Sequence, residues 1–288
     1  MALNKYMHLR NPFRTKPNFQ KLAENYDFFR EAVAQDEKGK FVVDFKQPKQ
    51  LAALSKAILL SEFNLEVDFP LDRMIPTVPL RMNYILWIED LLSRMPNVLY
   101  YLFILDTKFD QGSINILDIG VGASCIYPLL GARKNDWNFV GTEIDARSFS
   151  FAIMNVFKNR LEDKIKLLRA TDSGSYLGFL FGADTCGTLK SHSVPPCSIS
   201  MTPFIPPTYI HIVMANPPFF ADASDEMGLN SSRSMVRSTP KTASAAARHE
   251  SQAPGGEVCF AMRLAKESLV YRDRIGQGVS AFFDFKLS

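Results

Sequence analysis

Metal-binding cysteine pairs are missing from this sequence. Its four cysteines form no Cys-x-x-Cys motif, which argues against a zinc site. The N-terminus has no apolar signal core, and the longest apolar cluster, residues 98–105, is far too short to cross a bilayer. We therefore expect an intracellular protein of a reducing compartment, without a metal and without a membrane as partner.

Acidic residues are scarce in two segments, although the net charge of the chain is only +3. No acid precedes Glu24, and a second basic stretch lies at 233–248. The cations of the two segments are Lys5, Arg10, Arg14, Lys16 and Lys21, and then Arg233, Arg237, Lys241 and Arg248. Localised positive charge favours binding to a phosphate backbone. For each segment taken alone, a solvated tail is the alternative.

The tetrapeptide Asn216-Pro217-Pro218-Phe219 ends an apolar, β-branched run that begins at Tyr209. Pro218 biases Pro217 towards an extended conformation and removes a backbone donor, so the segment forms a stiff elbow. The Asn216 side-chain oxygen and a proline carbonyl can accept the two hydrogens of a planar amine, while Phe219 stacks on its base. The motif predicts methylation of an exocyclic amine, and a strand-ending turn is the alternative.

A loop of small residues follows the first predicted strand of the sheet. This strand ends in Asp118, and Gly120, Gly122 and Ser124 come next. In doubly wound sheets a nucleotide-like cofactor approaches the backbone at this turn, and glycine permits both close approach and positive φ. The run differs from the dinucleotide fingerprint Gly-x-Gly-x-x-Gly, so it argues against NAD.

A second predicted strand ends in Glu143, roughly twenty residues beyond the glycines, where an acid can accept hydrogen bonds from both ribose hydroxyls of an adenosine. A capping residue at the end of a strand is the alternative. The order of glycine loop, strand-terminal acid and Asn-Pro-Pro-Phe elbow predicts an S-adenosylmethionine-dependent amine methyltransferase.

The alternation of apolar strands and helices from Ile114 onwards predicts an α/β fold with a parallel sheet. We place strands near 114–119, 137–143, 164–169 and 209–215, and helices near 124–132, 146–160 and 256–272. An accessory module precedes the sheet. Its predicted elements are a strand at 41–45, a helix at 48–63, an extended stretch at 76–81 and an amphipathic helix at 82–94.

Two connections interrupt this alternation. Residues 172–208 are unusually long for a connection within a compact domain, which indicates an insertion or an error in the deduced coding sequence. Residues 222–256 are rich in Ser, Ala and Arg and predict a mobile cationic loop after the elbow, placed to close over a polymeric substrate. An insertion without a role is the alternative for this second segment.

Four motifs of the sequence, at 76–85, 118–132, 142–145 and 216–220, resemble the methyltransferase-like protein 16 family of U6 small nuclear RNA adenine-N6 methyltransferases. The related bacterial 23S ribosomal RNA adenine-N6 methyltransferases are similar. The resemblance covers most of 1–165 and 209–275. It implies a seven-stranded, Rossmann-like class I methyltransferase fold with a small N-terminal α+β RNA-binding module.

The resemblance also implies ligands and residue roles. The donor would be S-adenosyl-L-methionine, and the acceptor a structured RNA such as a U6 small nuclear RNA or messenger RNA hairpin. By matching positions, the resemblance assigns the adenine site, and hence catalysis, to Asn216, Pro217, Pro218 and Phe219, and the cofactor to Arg81, Gly120, Ser124 and Glu143. From the loop and the elbow themselves we add Asp118, Gly122 and Asn216 to the cofactor residues. The guanidinium of Arg81 suits a carboxylate, which it can bind bidentately. The cations of the two basic segments, not the resemblance, predict RNA contacts at Lys5, Arg10, Arg14, Lys16, Arg233 and Arg237. We expect a monomer in the nucleus, and also in the cytoplasm.

We divide the chain into an N-terminal RNA-binding module, residues 1–80, and a methyltransferase domain, residues 81–288. Residues 95–113 and 172–208 depart from the usual connections of the family, so a family contact around 171–175 is not carried over. Residues 279–285 can supply a fifth strand. The last two strands of the family's sheet are expected to be missing, which would leave an edge of the sheet uncovered.

Two other functions fit the sequence. An Asn-Pro-Pro-aromatic elbow also suits a glutamine side-chain amide, as in the protein glutamine N5-methyltransferases that modify release factors. The shortened C-terminus instead suits an RNA-binding or cofactor-sensing module with little turnover. The basic N-terminal arm, the arginine-rich loop and the Val-Pro-Leu-Arg motif at 78–81 favour RNA as the acceptor.

Overall fold

The structure is a computed structural model that describes residues 7–94, 114–170, 175–181, 207–216, 256–276 and 280–281. Its first part is mostly helical. After a short 3-10 helix at Pro12–Arg14 come α1 (Phe19–Asn25), α2 (Asp27–Ala32), α3 (Pro48–Phe63) and α4 (Val78–Ser93). Between α2 and α3, β1 (Ala34–Gln35) and β2 (Phe41–Val42) pair antiparallel. The predicted helix at 48–63 is confirmed, and the strand near 41–45 is confirmed over its first two residues.

Helix α4 begins earlier than the sequence predicts. The extended conformation expected for 76–81 is wrong from Val78 onwards, because Val78 and Pro79 form the first helical turn. Proline fits there since the first N–H groups of a helix need no intrahelical acceptor. Arg81 is therefore a helical residue, and α4 carries its side chain towards the sheet.

A parallel sheet of five strands forms the second part of the described chain. Its strands are β3 (Asn115–Ile119), β4 (Asn138–Glu143), β5 (Ile165–Arg169), β6 (Ile212–Ala215) and β7 (Ser280–Ala281), and its helices are α5 (Ile126–Asn135), α6 (Ala146–Lys158), α7 (Gly178–Phe181) and α8 (Gly256–Val270). The order across the sheet is β5-β4-β3-β6-β7, and all pairs are parallel. This topology confirms the predicted α/β, Rossmann-like class.

The observed strands lie within the predicted ranges. β6 begins at Ile212, three residues later than predicted. Before it, Ile210 forms only an isolated bridge with Ile275. β7 confirms the predicted fifth strand over Ser280–Ala281, and the rest of 279–285 lies outside the described residues. Residues 282–288 lie outside the described residues, so the expected lack of two further strands stays a prediction.

Alternate residues of the strands face two apolar layers. On one face, Leu117 and Val213 pack with α8 through Phe260 and Leu264. On the other face, Ile116 belongs to a core that also includes α5 and the N-terminal helices. Since side chains alternate along a strand, Asp118 points towards the same face as Ile116, and hence towards α4.

The N-terminal helices share this core with the sheet, and α4 runs across the predicted division at residues 80 and 81. The side chain of Asn155 in α6 forms hydrogen bonds to residues of both parts. Its Nδ2 donates to the carbonyl oxygens of Asp68 and Ala123, both at 3.1 Å, and its Oδ1 accepts from the Asp68 amide at 2.9 Å. One buried amide thus joins the chain before α4 to the loop after β3.

Candidate active site

The candidate site lies at the carboxyl ends of β3, β4 and β6. Register pairs Ile119 with Thr142 on one side and with Ala215 on the other. Gly120, Glu143 and Asn216 therefore come next at the same edge of the sheet. The chain order reverses on either side of β3, and in open α/β sheets ligands bind in the crevice at such a switch point.

The glycine loop uses a backbone conformation that favours glycine. Gly120 has a φ of 79° and Gly122 a φ of 63°, values that glycine adopts without strain. The Gly120 amide donates to the Thr142 carbonyl at 3.0 Å and fixes the turn against β4. Among the described residues, a methyl group added at either glycine would meet no heavy atom within 4 Å, so these residues leave space for a ligand beside the loop.

Glu143 is buried at the end of β4 and is held by the backbone. Its Oε2 accepts from the Gly122 amide at 2.9 Å, and its Oε1 accepts from the amides of Ile144 and Asp145 at 2.8 and 2.9 Å. Donors of this kind favour the ionised carboxylate. Glu143 therefore ties the glycine loop to β4 and places a negative charge beside it.

Asp118 is buried, with 1% of its surface exposed, and neither carboxylate oxygen has a hydrogen-bond partner among the described residues. Burial raises the pKa of Asp118 to about 8; the nearby Arg81 opposes this shift, and the charge of Glu143 adds to it. An orphaned buried carboxyl is costly. It is suited to a cationic ligand group that enters the crevice.

Arg81 reaches across the site from α4. Its Nη1 donates to the Tyr127 hydroxyl at 2.6 Å and to Asn216 Oδ1 at 3.2 Å, and its Nη2 lies 3.5 Å from Met74 Sδ. Sequence reasoning found Arg81 and Asn216 but missed Tyr127. An aromatic residue in an apolar helix is ordinarily a core residue, and only its hydroxyl distinguishes it here.

Ser124 is buried in the loop just before α5. The structure brings all seven predicted cofactor residues to one edge of the sheet: Arg81, Asp118, Gly120, Gly122, Ser124, Glu143 and Asn216. Three residues of the elbow, Pro217, Pro218 and Phe219, lie outside the described residues.

The predicted RNA-binding residues divide into three groups. Lys5, Arg233 and Arg237 lie outside the described residues, whereas Arg14 and Lys16 are exposed. Arg10 forms ion pairs with Glu89 and Asp90 of α4, and His8 bonds the same aspartate at 2.9 Å. Arg10 therefore has an intramolecular role that its position in an acid-free segment did not predict.

No group of three potential metal ligands occurs in the part of the chain that the structure describes. In the same residues, every helix is too short or too polar to cross a membrane.

A family model described as "RNA methyltransferase" matches residues 1–196 of this chain. The mouse protein "RNA N(6)-adenosine-methyltransferase METTL16" is 36% identical over 276 residues, which cover 96% of this chain and 44% of that protein. A Drosophila pseudoobscura pseudoobscura protein, "U6 small nuclear RNA (adenine-(43)-N(6))-methyltransferase", is 33% identical over 94% of this chain and 79% of its own length. The chain thus spans less than half the length of the vertebrate relative.

The solved structures that this chain resembles include two of human METTL16 domains. The human METTL16 catalytic domain in complex with hairpin 1 of the MAT2A 3′ untranslated region matches with a TM-score of 0.71 and 33% identity, covering 93% of this chain and 79% of that one. The N-terminal domain of human METTL16 in complex with SAH matches with a TM-score of 0.64 and 31% identity, over 93% and 80% of the two chains.

Proposed function

We propose that this chain, which belongs to the RNA methyltransferase family of METTL16 and the U6 small nuclear RNA methyltransferases, methylates RNA. The reaction is transfer of a methyl group from S-adenosylmethionine to the exocyclic N6 amine of adenine in a structured RNA. The observation that carries the proposal is the placement of Asn216 beside the glycine loop, with Arg81 in contact with the Asn216 amide.

The residues around the loop fit S-adenosylmethionine group by group. The orphaned carboxyl of Asp118 suits the ammonium of the methionine part, and the guanidinium of Arg81 suits its carboxylate. Glu143, held beside Gly122, suits the ribose hydroxyls. When bound, the cofactor supplies an electrophilic methyl group on a sulfonium, so the protein mainly has to orient the two reactants.

Asn216 supplies the chemistry on the acceptor side. The amine of adenine is a poor nucleophile because its lone pair is delocalised into the ring. Asn216 Oδ1 accepts one amine hydrogen, and we assign the second to the Pro217 carbonyl; this pair favours a pyramidal nitrogen whose lone pair faces the methyl group. Stabilising charge as it develops lowers the barrier. The amine becomes acidic only as the bond forms, so no strong general base is needed. We assign stacking on the extruded base to Phe219.

Three observations support structured RNA as the acceptor. The family model describes RNA methyltransferases, a solved relative is in complex with an RNA hairpin, and Arg14 and Lys16 are exposed cations of the N-terminal part. We propose a U6-like or messenger RNA hairpin as substrate and residues 1–80 as the RNA-binding module. We also predict that the protein is a monomer, that it holds no metal, and that it is located in the nucleus and also in the cytoplasm.

The acceptor is tested by offering three substrates with labelled S-adenosylmethionine: an adenine-containing RNA hairpin, the same hairpin with its unpaired adenines replaced by guanine, and a Gly-Gly-Gln peptide. The proposal predicts label in the first hairpin alone. Label in the peptide would favour the protein glutamine N5-methyltransferase. Tight binding of hairpin and cofactor with a single slow turnover would instead favour the RNA-binding or cofactor-sensing module.

A further inference from the structure

Tyr127 contacts Arg81 in two ways. The Arg81 Nη1 donates to the Tyr127 hydroxyl at 2.6 Å, and the guanidinium carbon lies 5.3 Å from the centre of the ring. Tyr127 itself is 7% exposed, in the first turn of α5. A hydrogen bond and a cation–π contact together restrict a side chain that otherwise has many rotamers.

Tyr127 is in turn held by the helix that carries Arg81. The ring of Tyr84 meets the Tyr127 ring edge-on, with centroids 5.1 Å apart, and Tyr84 stacks on Trp87 at 5.8 Å. Positions 81 and 84 are three residues apart and share one face of α4. The arginine and the aromatic support of its tyrosine are therefore parts of one rigid element, which packs against α5.

Arg81 has to be placed accurately, because two groups of the site depend on it. Its Nη1 also lies 3.2 Å from Asn216 Oδ1, and the proposed function assigns the cofactor carboxylate to the same guanidinium. Ordering a free arginine on binding costs rotamer entropy, which weakens affinity, whereas a guanidinium that is already fixed avoids most of that cost.

We propose that Tyr127 is a positioning residue of the cofactor site, whose hydroxyl holds the Arg81 guanidinium ready for the carboxylate of the cofactor. This inference rests on the proposed function, which supplies the carboxylate. It assigns Tyr127 a role that is exerted through Arg81.

The experiment compares two ligands of this site by calorimetry. S-adenosylhomocysteine carries the carboxylate, and 5′-methylthioadenosine has the same adenosine without it. We expect Tyr127→Phe, which keeps the ring and removes the hydroxyl, to weaken S-adenosylhomocysteine binding roughly tenfold, as removal of a hydrogen bond to a charged group does. Its affinity for 5′-methylthioadenosine should stay as in the wild type. Tyr209→Phe, at the opposite end of the sheet, is the matched control.

Arg81→Ala provides the second arm. In that background, Tyr127→Phe should have no further effect on S-adenosylhomocysteine binding, because the residue acts through the arginine. Equal weakening of both ligands by Tyr127→Phe would reveal a general loss of structure and would overturn the inference. Loss of affinity in Arg81→Ala with none in Tyr127→Phe would overturn it while leaving the proposed function intact. An Arg81→Ala protein with unchanged affinity for S-adenosylhomocysteine would overturn the inference and the assignment of the cofactor carboxylate to Arg81, whereas a wild-type chain that binds neither ligand would overturn the proposed function.

Discussion

Nη1 of Arg81 lies 3.2 Å from Oδ1 of Asn216, although 135 positions separate the two residues in the chain. A guanidinium only donates hydrogen bonds, so the amide atom that faces it is the oxygen. The contact joins α4, at the edge of the N-terminal part, to the end of β6. One arginine thereby fixes the orientation of the amide that we assign to the adenine amine.

The first prediction concerns Glu143. Glu143→Gln replaces an acceptor-only group by one with two donors, which must then face the backbone amides of Gly122, Ile144 or Asp145. We expect the dissociation constant for S-adenosylhomocysteine to rise about tenfold or more, since both the ribose acceptor and the loop are disturbed. Calorimetric titration measures it, with exposed Glu62→Gln as control. Unchanged affinity would remove Glu143 from the site.

The second prediction follows from the pKa of Asp118, which burial raises to about 8 from 3.8. A carboxyl with a raised pKa stabilises the fold fully below pH 3.8, and this contribution is lost as pH rises towards and through 8. In Asp118→Asn, the free energy of unfolding should therefore decrease less than in the wild type as the pH rises from 3.8 to about 8. Urea unfolding at a series of pH values measures this.

Cofactor binding should depend on pH in the opposite sense. The proposed ammonium contact requires ionised Asp118, so the affinity for S-adenosylhomocysteine should increase up to about pH 8 and then level off. In Asp118→Asn the affinity should be lower, and this rise should disappear. A wild-type affinity that is constant from pH 6 to about 9 would contradict the assigned contact.

The third prediction concerns the junction between the two parts of the molecule. Asn155→Ala removes three hydrogen bonds and leaves the backbone groups of Asp68 and Ala123 without them. Because buried polar groups that lose their partners are costly, we expect the free energy of unfolding to fall by about 3 kcal/mol. Chemical denaturation measures the change. A decrease no larger than that of the exposed Ser150→Ala on the same helix would contradict the role of Asn155.

The fourth prediction separates two kinds of N-terminal cation. Removing the charges of exposed Arg14 and Lys16 should weaken RNA hairpin binding and flatten its salt dependence, by a slope of roughly 0.7–0.9 for each phosphate that the protein no longer neutralises. Arg10→Ala should instead lower stability, because Arg10 pairs with Glu89 and Asp90. Filter binding over a salt series and thermal unfolding distinguish them. An unchanged salt slope in the Arg14→Ala/Lys16→Ala protein would argue against binding of RNA by these two cations.

Much of the sheet could be predicted from the sequence. β3 and β4 are apolar runs that end in Asp118 and Glu143, and their limits differ from the prediction by about one residue, as expected for strongly patterned elements. The start of α4 could not be predicted in the same way. Pro79 favours an extended segment when read locally, and only the packing of the following turns against the core makes it the start of a helix.

Long-range pairing decides the remaining features of the site. Arg10 has no acid near it in the sequence, and its partners come from α4, 79 and 80 positions later. Whether Asp118 has a partner depends on which side chains α4 and β4 bring to it. The role of Tyr127 depends on a single hydroxyl that a pattern of apolar positions does not distinguish from the core.

Methyl transfer from labelled S-adenosylmethionine to an adenine-containing RNA hairpin, with Asn216→Ala measured alongside the wild type, tests the central claim most directly. We predict that the wild-type chain transfers label and that the variant loses about a hundredfold or more of the rate, because an acceptor for the developing charge is missing. Calorimetry should show that it still binds S-adenosylhomocysteine. Wild-type-like turnover in Asn216→Ala, or no transfer by a wild-type chain that binds both ligands, would contradict the claim.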